Sequence, residues 1–311
     1  MTGHQHTVAC LAGGGVGPEL MAETSRALAE VSRLHNFRLD EVHVPFGSQA
    51  VPAWGHPLPP ATREACRSAD AVLVAGDREP ALQGVRAELE LSATVTRIRT
   101  QRGDLAVVSP LDERFSRWTV ERAFALARGR RAHVTSIGSG HAWQFLVEEI
   151  AELHPGMEVS HLTLAEALPH LTAGAGGFDV VLTEQIFAEA VHAMATFERD
   201  DTRAVAIGEI AERGPGVFRS IHGPAAAIAG FGVANPSGML LAASLMLEEG
   251  LGERAAGLTL SESVASALRD GARTPDMVGT GAHDTRGFMD AVLARLPRTR
   301  SDTEFGREVV A

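Results

Sequence analysis

The sequence predicts an α/β fold built around a largely parallel sheet. Short apolar segments alternate with amphipathic segments of helical periodicity along almost the whole chain of 311 residues. Several apolar segments end in glycine, and no internal repeat or low-complexity linker interrupts the alternation. Strands that alternate with helices of this length are typical of βαβ units, in which successive strands lie parallel.

The first quarter of the chain shows this alternation. Residues 6–14 (HTVACLAGG) form an apolar run that ends in glycines, which predicts a buried strand. Pro18 marks the start of a helix, in which Leu20, Leu28 and Val31 recur at helical spacing. A strand, a short helix and a further strand are predicted to follow in RLDEVHVPF, PATREACRSA and DAVLVAGD.

The remaining elements continue the alternation until a glycine-rich loop interrupts it. Strands are predicted in DLAVVSP, AHVTSIG, FDVVLTE and AVAIGEIA. Helices are predicted in TVERAFALARGRR, AWQFLVEEIAELH and QIFAEAVHAMAT. Beyond the loop, helices are predicted from about Gly238 to Glu249, in TLSESVASALRDG and in DTRGFMDAVLARL.

Charge and residue content exclude several classes of function. The formal net charge of −11 argues against nucleic acid as a partner, because phosphate binding needs a basic surface. The longest apolar run, Met239 to Leu247, is far too short to cross a bilayer, and the first ten residues do not resemble a signal peptide. Cys10 and Cys66 lie in predicted core elements, so we expect a reduced, cytoplasmic protein. The chain has neither tyrosine nor lysine, so neither can act as a catalytic acid or base.

The segment from Ser220 to Leu247, SIHGPAAAIAGFGVANPSGMLLAASLML, combines a loop with a buried helix. It begins near a His-Gly pair, passes through small residues to Asn235, and then becomes almost wholly apolar. This pattern indicates a ligand-binding loop. The earlier sequence GGGVGPE also follows a strand, but its spacing does not match the G-x-G-x-x-G dinucleotide fingerprint.

Six segments, in order along the chain, resemble the β-decarboxylating dehydrogenases, the family of isopropylmalate, isocitrate and homoisocitrate dehydrogenases. They are LAGGGVGPELMAE, WGHPLPPATREACRSADAVLVAGD, VRAELELSATVTRIR (similar to the family's substrate-arginine helix), FDVVLTEQIFAEAVHAMA, the loop described above and RTPDM. The resemblance implies a two-domain α/β fold, here without the family's clasp arm. Residues 1–95 and 207–311 would form a nucleotide-loop domain, and residues 96–206 a second domain that carries the dimer helices.

The catalytic residues that the resemblance implies are largely absent. The family oxidises a 2-hydroxy acid with NAD(P) and releases CO2, using a divalent cation, a lysine and a tyrosine. Where the resemblance places two metal-binding aspartates, this chain has Glu189 and Ala193, and a third position falls near Ala165, beside Glu166. Glu189 is the candidate metal ligand, although a lone carboxylate is a weak basis for a Mg²⁺ site. The lysine and tyrosine segments are shortened, so no catalytic residue is assigned.

The resemblance also implies three arginines that bind the carboxylates of a small-molecule acid. At only one of the three implied positions does this chain have an arginine, and that residue is Arg86. The second position is Thr96, next to Arg97 and near Arg99, and the third is Ser109. Arg86 is therefore the candidate substrate-binding residue.

The nucleotide loop matches the family more closely. Its candidate residues for binding NAD or NADP are His222, Gly223, Ala225, Ile228 and Asn235. The acidic residue that contacts the NAD ribose in the family is Ala227 here, and a serine is Pro224, which has no N–H donor. The resemblance therefore implies that any binding of NAD or NADP is weakened.

Four histidines raise a further hypothesis. His141 lies in the shortened lysine loop, and His192 lies on the same predicted helix as Glu189. Together with His161 and His170 they offer bases or metal ligands. No two of them show the spacing of a metal-binding motif, so surface or core histidines are the simpler interpretation.

Three interpretations of the whole chain remain open. The first is a diverged family member without the ancestral reaction, acting as a regulatory partner of an intact paralogue or in a reassigned small-molecule role. The second is an NAD(P)-dependent oxidoreductase acting on a malate-type 2-hydroxy acid with a rebuilt active site. The third is a ligand-binding module that binds a molecule in the family's active-site cleft but does not convert it. The absence of lysine and tyrosine favours the first or the third.

A homodimer is expected from two helices of the second domain. Apolar residues recur at helical spacing in each, namely Trp143, Leu146, Val147 and Ile150 in the first and Ile186, Phe187, Ala190 and Met194 in the second. Each helix must bury one apolar face against its own sheet. The remaining apolar residues then need a second copy, which a two-fold axis supplies.

Overall fold

The computed structural model describes residues 4–75, 80–100, 103–112, 115–195, 204–279 and 283–297. Its strands are β1 (Gln5–Leu11), β2 (Arg38–His43), β3 (Ala71–Val74), β4 (Ala93–Thr100), β5 (Gly103–Pro110), β6 (His133–Ile137), β7 (Glu158–Leu162), β8 (Val180–Thr183), β9 (Ala204–Ile210) and β10 (Gly216–Ser220). Its α-helices are α1 (Gly17–His35), α2 (Val51–Trp54), α3 (Pro60–Ser68), α4 (Pro80–Glu88), α5 (Arg117–Arg128), α6 (His141–Glu152), α7 (Leu164–Ala173), α8 (Gln185–Ala195), α9 (Ser237–Leu245), α10 (Arg254–Arg269), α11 (Pro275–Val278) and α12 (Thr285–Leu293).

The described strands all belong to one sheet in the order β2-β1-β3-β10-β9-β4-β5-β8-β6-β7. Neighbouring strands are parallel on both sides of the sheet, and only the central pairs β10–β9, β9–β4 and β4–β5 are antiparallel. The predicted α/β fold with a mostly parallel sheet is therefore confirmed. No described strand forms a separate arm outside this sheet.

The two predicted domain boundaries fall at one place in the sheet. The break after residue 95 lies in β4 and the break before residue 207 lies in β9, and these strands are neighbours. In the antiparallel register Thr96 lies opposite Ile207. The division into two domains itself stays a prediction.

Helix α1 forms where the proline and the apolar spacing predict it. Pro18 occupies the first turn, Glu19 lies near the positive end of the helix dipole, and Leu20 and Leu28 are buried against the sheet. Asn36 ends the helix in a left-handed conformation, with its N–H donating to the Ser32 carbonyl.

Helix α9 is the central buried helix. From Met239 to Leu245 every residue is buried, and the helix packs against β9, β10 and α10. The predicted helix was expected to run to Glu249, but the α-helix ends at Leu245 and a π-helical turn continues from Met246 to Gly250. No helix among the described residues has the length and apolar character needed to cross a membrane.

Only the first part of VRAELELSATVTRIR, the segment similar to the family's substrate-arginine helix, is helical. Helix α4 ends at Glu88, and the rest of the segment turns into β4 from Ala93. The turn passes through Glu90, which has a left-handed φ of 51°. Residues 93–100 form β4, so Arg97 and Arg99 lie on the sheet and not on the helix of Arg86.

Candidate nucleotide and substrate site

The glycine-rich turn after β1 packs directly on the His-Gly loop. Val16 donates its N–H to the Pro224 carbonyl at 2.8 Å. Gly15 has a φ of +62°, and a Cβ added to it would lie 1.7 Å from the same carbonyl oxygen. Only glycine fits this close approach, which brings the carboxyl end of β1 against the loop.

The loop encloses a cavity of about 240 Å³ at the carboxyl ends of β1 and β10. The predicted residues His222, Ala225, Ile228 and Asn235 all line it, together with Val16, Leu20, Val205, Ser220, Ile221, Ala234, Ser237, Gly238 and Asp276. Gly223 lies within the same loop but does not line the cavity. The structure thus brings the predicted loop residues together, while the ligand itself stays a prediction.

His222 presents an acceptor in this cavity. Its Nδ1 lies 3.0 Å from the Gly223 carbonyl oxygen, which can only accept, so Nδ1 carries the proton. Burial lowers the pKa of His222, so the ring is neutral near pH 7 and Nε2 is unprotonated. Among the described residues, neither the buried His222 Nε2 nor the buried Ser220 Oγ has a hydrogen-bond partner. Both residues line the cavity, and these two atoms have unused hydrogen-bonding capacity.

Asp276 is a site residue that the sequence did not single out. Its carboxylate accepts from the Asn235 N–H at 2.9 Å and from the Thr274 hydroxyl at 2.5 Å. The Asn235 side-chain oxygen accepts from the Ser237 N–H at 2.9 Å, which satisfies a free N–H at the start of α9. The segment RTPDM, which the sequence analysis used only as a point of family resemblance, therefore holds the Asn235 end of the loop through Asp276.

The candidate substrate arginine is already paired inside the chain. Arg86, in the last turn of α4, donates from Nε and Nη2 to the two carboxylate oxygens of Glu209 at 2.5 and 2.6 Å. Arg219 on β10 donates from Nε to the same carboxylate at 2.9 Å. The Glu209 side chain has no exposed surface, while that of Arg86 is 30% exposed. Glu209 and Arg219 were not predicted as site residues.

The arginines next to the second implied position, Arg97 and Arg99, pair with other carboxylates than Glu209. Arg97 and Arg99 both donate to Asp104, from Nε at 3.2 and 3.1 Å. Arg97 also pairs with Glu248 in the π-helical turn. At the third predicted arginine position, the Ser109 hydroxyl lies 2.7 Å from that of Thr94. None of these groups joins Arg86.

The carboxylates at or beside the implied metal-binding positions, Glu189 and Glu166, lie on different helices, α8 and α7. Glu189 is exposed on α8, and the residue one turn later, Ala193, offers no ligand atom. Glu166 is part of a capping box with Thr163, whose backbone N–H it accepts at 2.8 Å. Among the described residues, Glu189 belongs to no group of three side chains close enough to bind an ion. Within the described part of the chain, the candidate ligand Glu189 therefore has no group of ligands around it.

Two of the four histidines lie together. His141 and His161 line a cavity of about 300 Å³ at the carboxyl ends of β6 and β7, and Glu166 lines it as well. His170 instead packs edge-on against Phe178. Burial lowers the pKa of His192 to about 4, so this side chain is neutral near pH 7.

The sheet order and the cavity define the class of the protein, an α/β protein with a loop-lined cavity at the carboxyl ends of parallel strands. A family model described as isocitrate/isopropylmalate dehydrogenase matches residues 7–114 and 107–292. The chain belongs to the isocitrate/isopropylmalate dehydrogenase family.

Individual relatives agree with this assignment. The 3-isopropylmalate dehydrogenase of Bacillus anthracis is 31% identical over 344 aligned positions, which cover 93% of this chain and 96% of the relative. The 3-isopropylmalate dehydrogenase of Synechococcus sp. (strain CC9605) is also 31% identical, over 89% of this chain and 95% of its own. The crystal structure of a β-decarboxylating dehydrogenase from Thermococcus kodakarensis shares the fold, with a TM-score of 0.79, 24% identity and coverage of 94% and 96% of the two chains.

Proposed function

We propose that this protein binds a nucleotide-type ligand, such as NAD or NADP, in the loop cavity and does not catalyse metal-dependent oxidative decarboxylation. It would then serve as a non-catalytic, regulatory or reassigned small-molecule-binding protein, alone or with an intact paralogue. The observation that carries the proposal is the bidentate pairing of Arg86 with the fully buried Glu209.

The pairing occupies the part of Arg86 that would bind a substrate. A guanidinium binds a carboxylate through two parallel N–H groups, and Arg86 already uses Nε and Nη2 in this way. A substrate carboxylate at these donors would leave Glu209 as a buried charge with Arg219 as its remaining partner. Breaking a buried ion pair costs about 3–5 kcal/mol, so the contact opposes binding of an acid at this position.

The metal-binding positions support the same proposal. Glu189 is a single exposed carboxylate, and Glu166 is engaged at the start of α7. Without paired carboxylates the protein has no means to polarise the substrate hydroxyl through a cation as its family does. The absence of lysine and tyrosine removes the family's proton-transfer groups as well.

The loop cavity supports retained binding. A buried polar atom without a hydrogen bond costs about 1–3 kcal/mol, so a ligand that bonds to Ser220 Oγ and His222 Nε2 regains that cost. NAD offers hydroxyl and amino donors of this kind. Ala227 supplies no carboxylate for the ribose, so the affinity for NAD is expected to be weak.

We also propose a homodimer formed through α6 and α8. Trp143, Val147 and Ile150 are buried within the subunit, so this face of α6 packs on its own sheet. On the outer faces Phe145 is 69% exposed and Ile186 is 72% exposed. Large apolar side chains that are this exposed to solvent favour an interface with a second copy of the chain. The two cysteines are unpaired and buried, which supports a cytoplasmic location.

A rebuilt NAD(P)-dependent oxidoreductase acting on a malate-type acid is the second candidate function. The observation that favours it is the shared cavity of His141 and His161, where an imidazole could act as a general base. In that case His141→Ala and His161→Ala would each reduce turnover by about 10²-fold or more.

Calorimetry with NAD and with NADP tests the proposed binding. We expect binding that is weaker than micromolar and weakened further in Ser220→Ala, which removes one cavity hydroxyl. Thr172→Ala, on the exposed side of α7, is the matched control and should leave affinity unchanged. No heat signal with either dinucleotide at millimolar concentration, or equal binding in Ser220→Ala, would contradict the assignment of the cavity.

A further inference from the structure

A second group of ligand atoms lies at the opposite end of β1. His4 Nδ1 and His6 Nε2 lie 3.2 and 3.0 Å from the same carboxylate oxygen, Oε1 of Glu253. The two histidines are two residues apart, so their side chains leave the extended chain on the same face. All three ligand atoms lie within 4.8 Å of one another.

The backbone at each of these residues is fixed by the fold. The His4 carbonyl accepts from the Arg38 N–H at 2.8 Å, and His6 lies within β1. Glu253 donates its N–H to the Leu247 carbonyl at 2.8 Å and immediately precedes α10. Three potential ligands therefore come from rigid elements, which reduces the entropy lost when an ion binds.

The surroundings leave the group accessible to an ion. The side chain of His4 is 84% exposed, whereas those of His6 and Glu253 are 14% and 17% exposed. The His6 ring contacts Phe37 edge-on, at a centroid distance of 6.0 Å, which holds its orientation. One open side and two oriented ligands are what an ion needs in order to enter and be held.

We propose that His4, His6 and Glu253 form a binding site for a divalent transition-metal ion, with Zn²⁺ as the best match. Zn²⁺ binds imidazole nitrogen and carboxylate oxygen at about 2.0–2.2 Å in tetrahedral geometry, which places two ligand atoms about 3.3–3.5 Å apart. The observed separations of 3.0 and 3.2 Å need only a small widening to reach this value. Two imidazoles and one carboxylate leave a fourth position for water.

A competing group of side chains is less suited to an ion. Cys10, Glu41 and His43 also bring three ligand atoms together. However, burial and the charge of Glu41 raise the pKa of the Cys10 thiol far above its ordinary value, and a thiol must lose its proton to bind a metal. Glu41 also accepts a hydrogen bond from the Ser25 hydroxyl. The histidine pair therefore carries the proposal.

The proposed site is independent of the loop cavity and of the proposed function. It lies at the amino end of β1, and the glycine-rich turn follows the carboxyl end of this seven-residue strand, about 20 Å away. A bound ion would link the start of the chain to the start of α10. Because only the folded chain brings the three ligands together, binding would stabilise the folded chain, and the stabilisation would grow with the logarithm of the free ion concentration once that concentration exceeds Kd.

The test uses the full-length chain after treatment with a chelator. Calorimetry with ZnCl₂ should give one ion per chain, and Co²⁺ in its place should give the visible absorption of tetrahedral cobalt. Thermal melting should shift upward with added Zn²⁺. His6→Ala and Glu253→Gln should each weaken Zn²⁺ binding by about tenfold or more, since loss of an outer-shell partner alone typically costs 10–100-fold. His43→Ala is the matched control and should bind as the unaltered chain does.

Two results would overturn the proposal. One is the absence of stoichiometric Zn²⁺ binding in the unaltered chain. The other is binding that persists in His6→Ala and Glu253→Gln, or that disappears in His43→Ala, which would move the site to Cys10, Glu41 and His43. Metal-free melting of each variant shows whether it is folded, and a folded variant that still binds Zn²⁺ normally counts against the site.

Discussion

Glu209 is a fully buried carboxylate that two arginines, Arg86 and Arg219, hold in an ion-pair cluster. Burial alone would raise its pKa, but hydrogen bonds and charge from Arg86 and Arg219 outweigh burial and hold the pKa below its ordinary value. A carboxyl with a lowered folded-state pKa stabilises the protein above the pKa of the unfolded chain. That stability is lost as the pH falls through the lower, folded-state value.

Removal of this carboxylate should destabilise the protein. Glu209→Ala leaves Arg86 and Arg219 without their shared acceptor, so we expect the free energy of unfolding to fall by roughly 3 kcal/mol, the lower end for a broken buried pair because Arg86 is partly exposed. Urea denaturation at pH 7 measures this. Glu30→Ala, which removes an exposed partner of Arg33, is the control and should leave the midpoint almost unchanged. Equal effects of the two substitutions would contradict the account.

The buried position of Glu209 could be predicted in part from the sequence. A glutamate inside the apolar segment AVAIGEIA indicates a buried charge, which needs a partner. Its partner Arg86 lies 123 residues away along the chain, so only the pairing of β9 with β4 and β10 brings them together. The loop residues from His222 to Asn235 were predictable because they are local, whereas Glu209 and Asp276 act through distant contacts.

Strands β4 and β5 are joined by a network of ion pairs centred on Asp104. Asp104 on β5 binds Arg97 and Arg99 of β4, and its other oxygen lies 2.8 Å from Arg130 Nη2. Burial raises the pKa of Asp104, but the charges of the three arginines outweigh burial and hold the pKa at about 2. This antiparallel pair is thereby connected to the segment that follows α5.

Asp104→Asn should remove a pH-dependent contribution to stability. The folded-state pKa of about 2 lies below the ordinary value of 3.8, so the stabilisation is present above pH 4 and is lost as the pH falls toward 2. The shift corresponds to about 2 kcal/mol at neutral pH. Urea unfolding of both proteins between pH 3 and pH 6 checks this. A difference between them that stays constant or grows toward pH 3 would contradict it.

Most elements could be predicted from periodicity and turn residues, but α4 and β4 were not predicted as separate elements. In TVTRIRT the apolar residues Val95 and Ile98 are three positions apart, so the segment lacks the alternation that identifies a half-buried strand. Strands β7 and β10 and helix α7 were also missed. β7 lies at the edge of the sheet and has an exposed pattern, so it lacks the apolar run that identifies buried strands.

At the scale of the whole molecule, three antiparallel pairs join two parallel groups of strands. Their order depends on contacts between distant segments, which periodicity does not encode. The sequence resemblance implied an α/β fold with a mostly parallel sheet, but it did not give this strand order. The outer faces of α6 and α8 lie in the group that contains β6 and β8, where Phe145 and Ile186 remain exposed in the single chain.

Light scattering tests the proposed homodimer. The chain has a mass of 32.8 kDa, and we expect a particle of twice this mass at micromolar concentration. Phe145→Glu should shift the particle toward the single-chain mass, because a charge would be buried at the interface. Phe231→Glu, at an equally exposed apolar residue of the nucleotide loop (75% exposed), is the control and should leave the mass unchanged. A particle of 32.8 kDa for the unaltered protein would contradict the dimer.

The most direct test of the central claim is a steady-state assay of NAD and NADP reduction with Mg²⁺ and each of isopropylmalate, isocitrate and homoisocitrate. A 3-isopropylmalate dehydrogenase of the family, assayed with isopropylmalate, serves as the positive control. General acid and base groups each contribute about 10²–10⁴-fold to such a rate. This chain contains no lysine and no tyrosine, and the resemblance places Glu189 and Ala193 where the family has its paired metal carboxylates. We therefore predict no reduction above background. Mg²⁺-dependent reduction by this protein that disappears in Glu189→Ala would contradict the account and establish a rebuilt metal site.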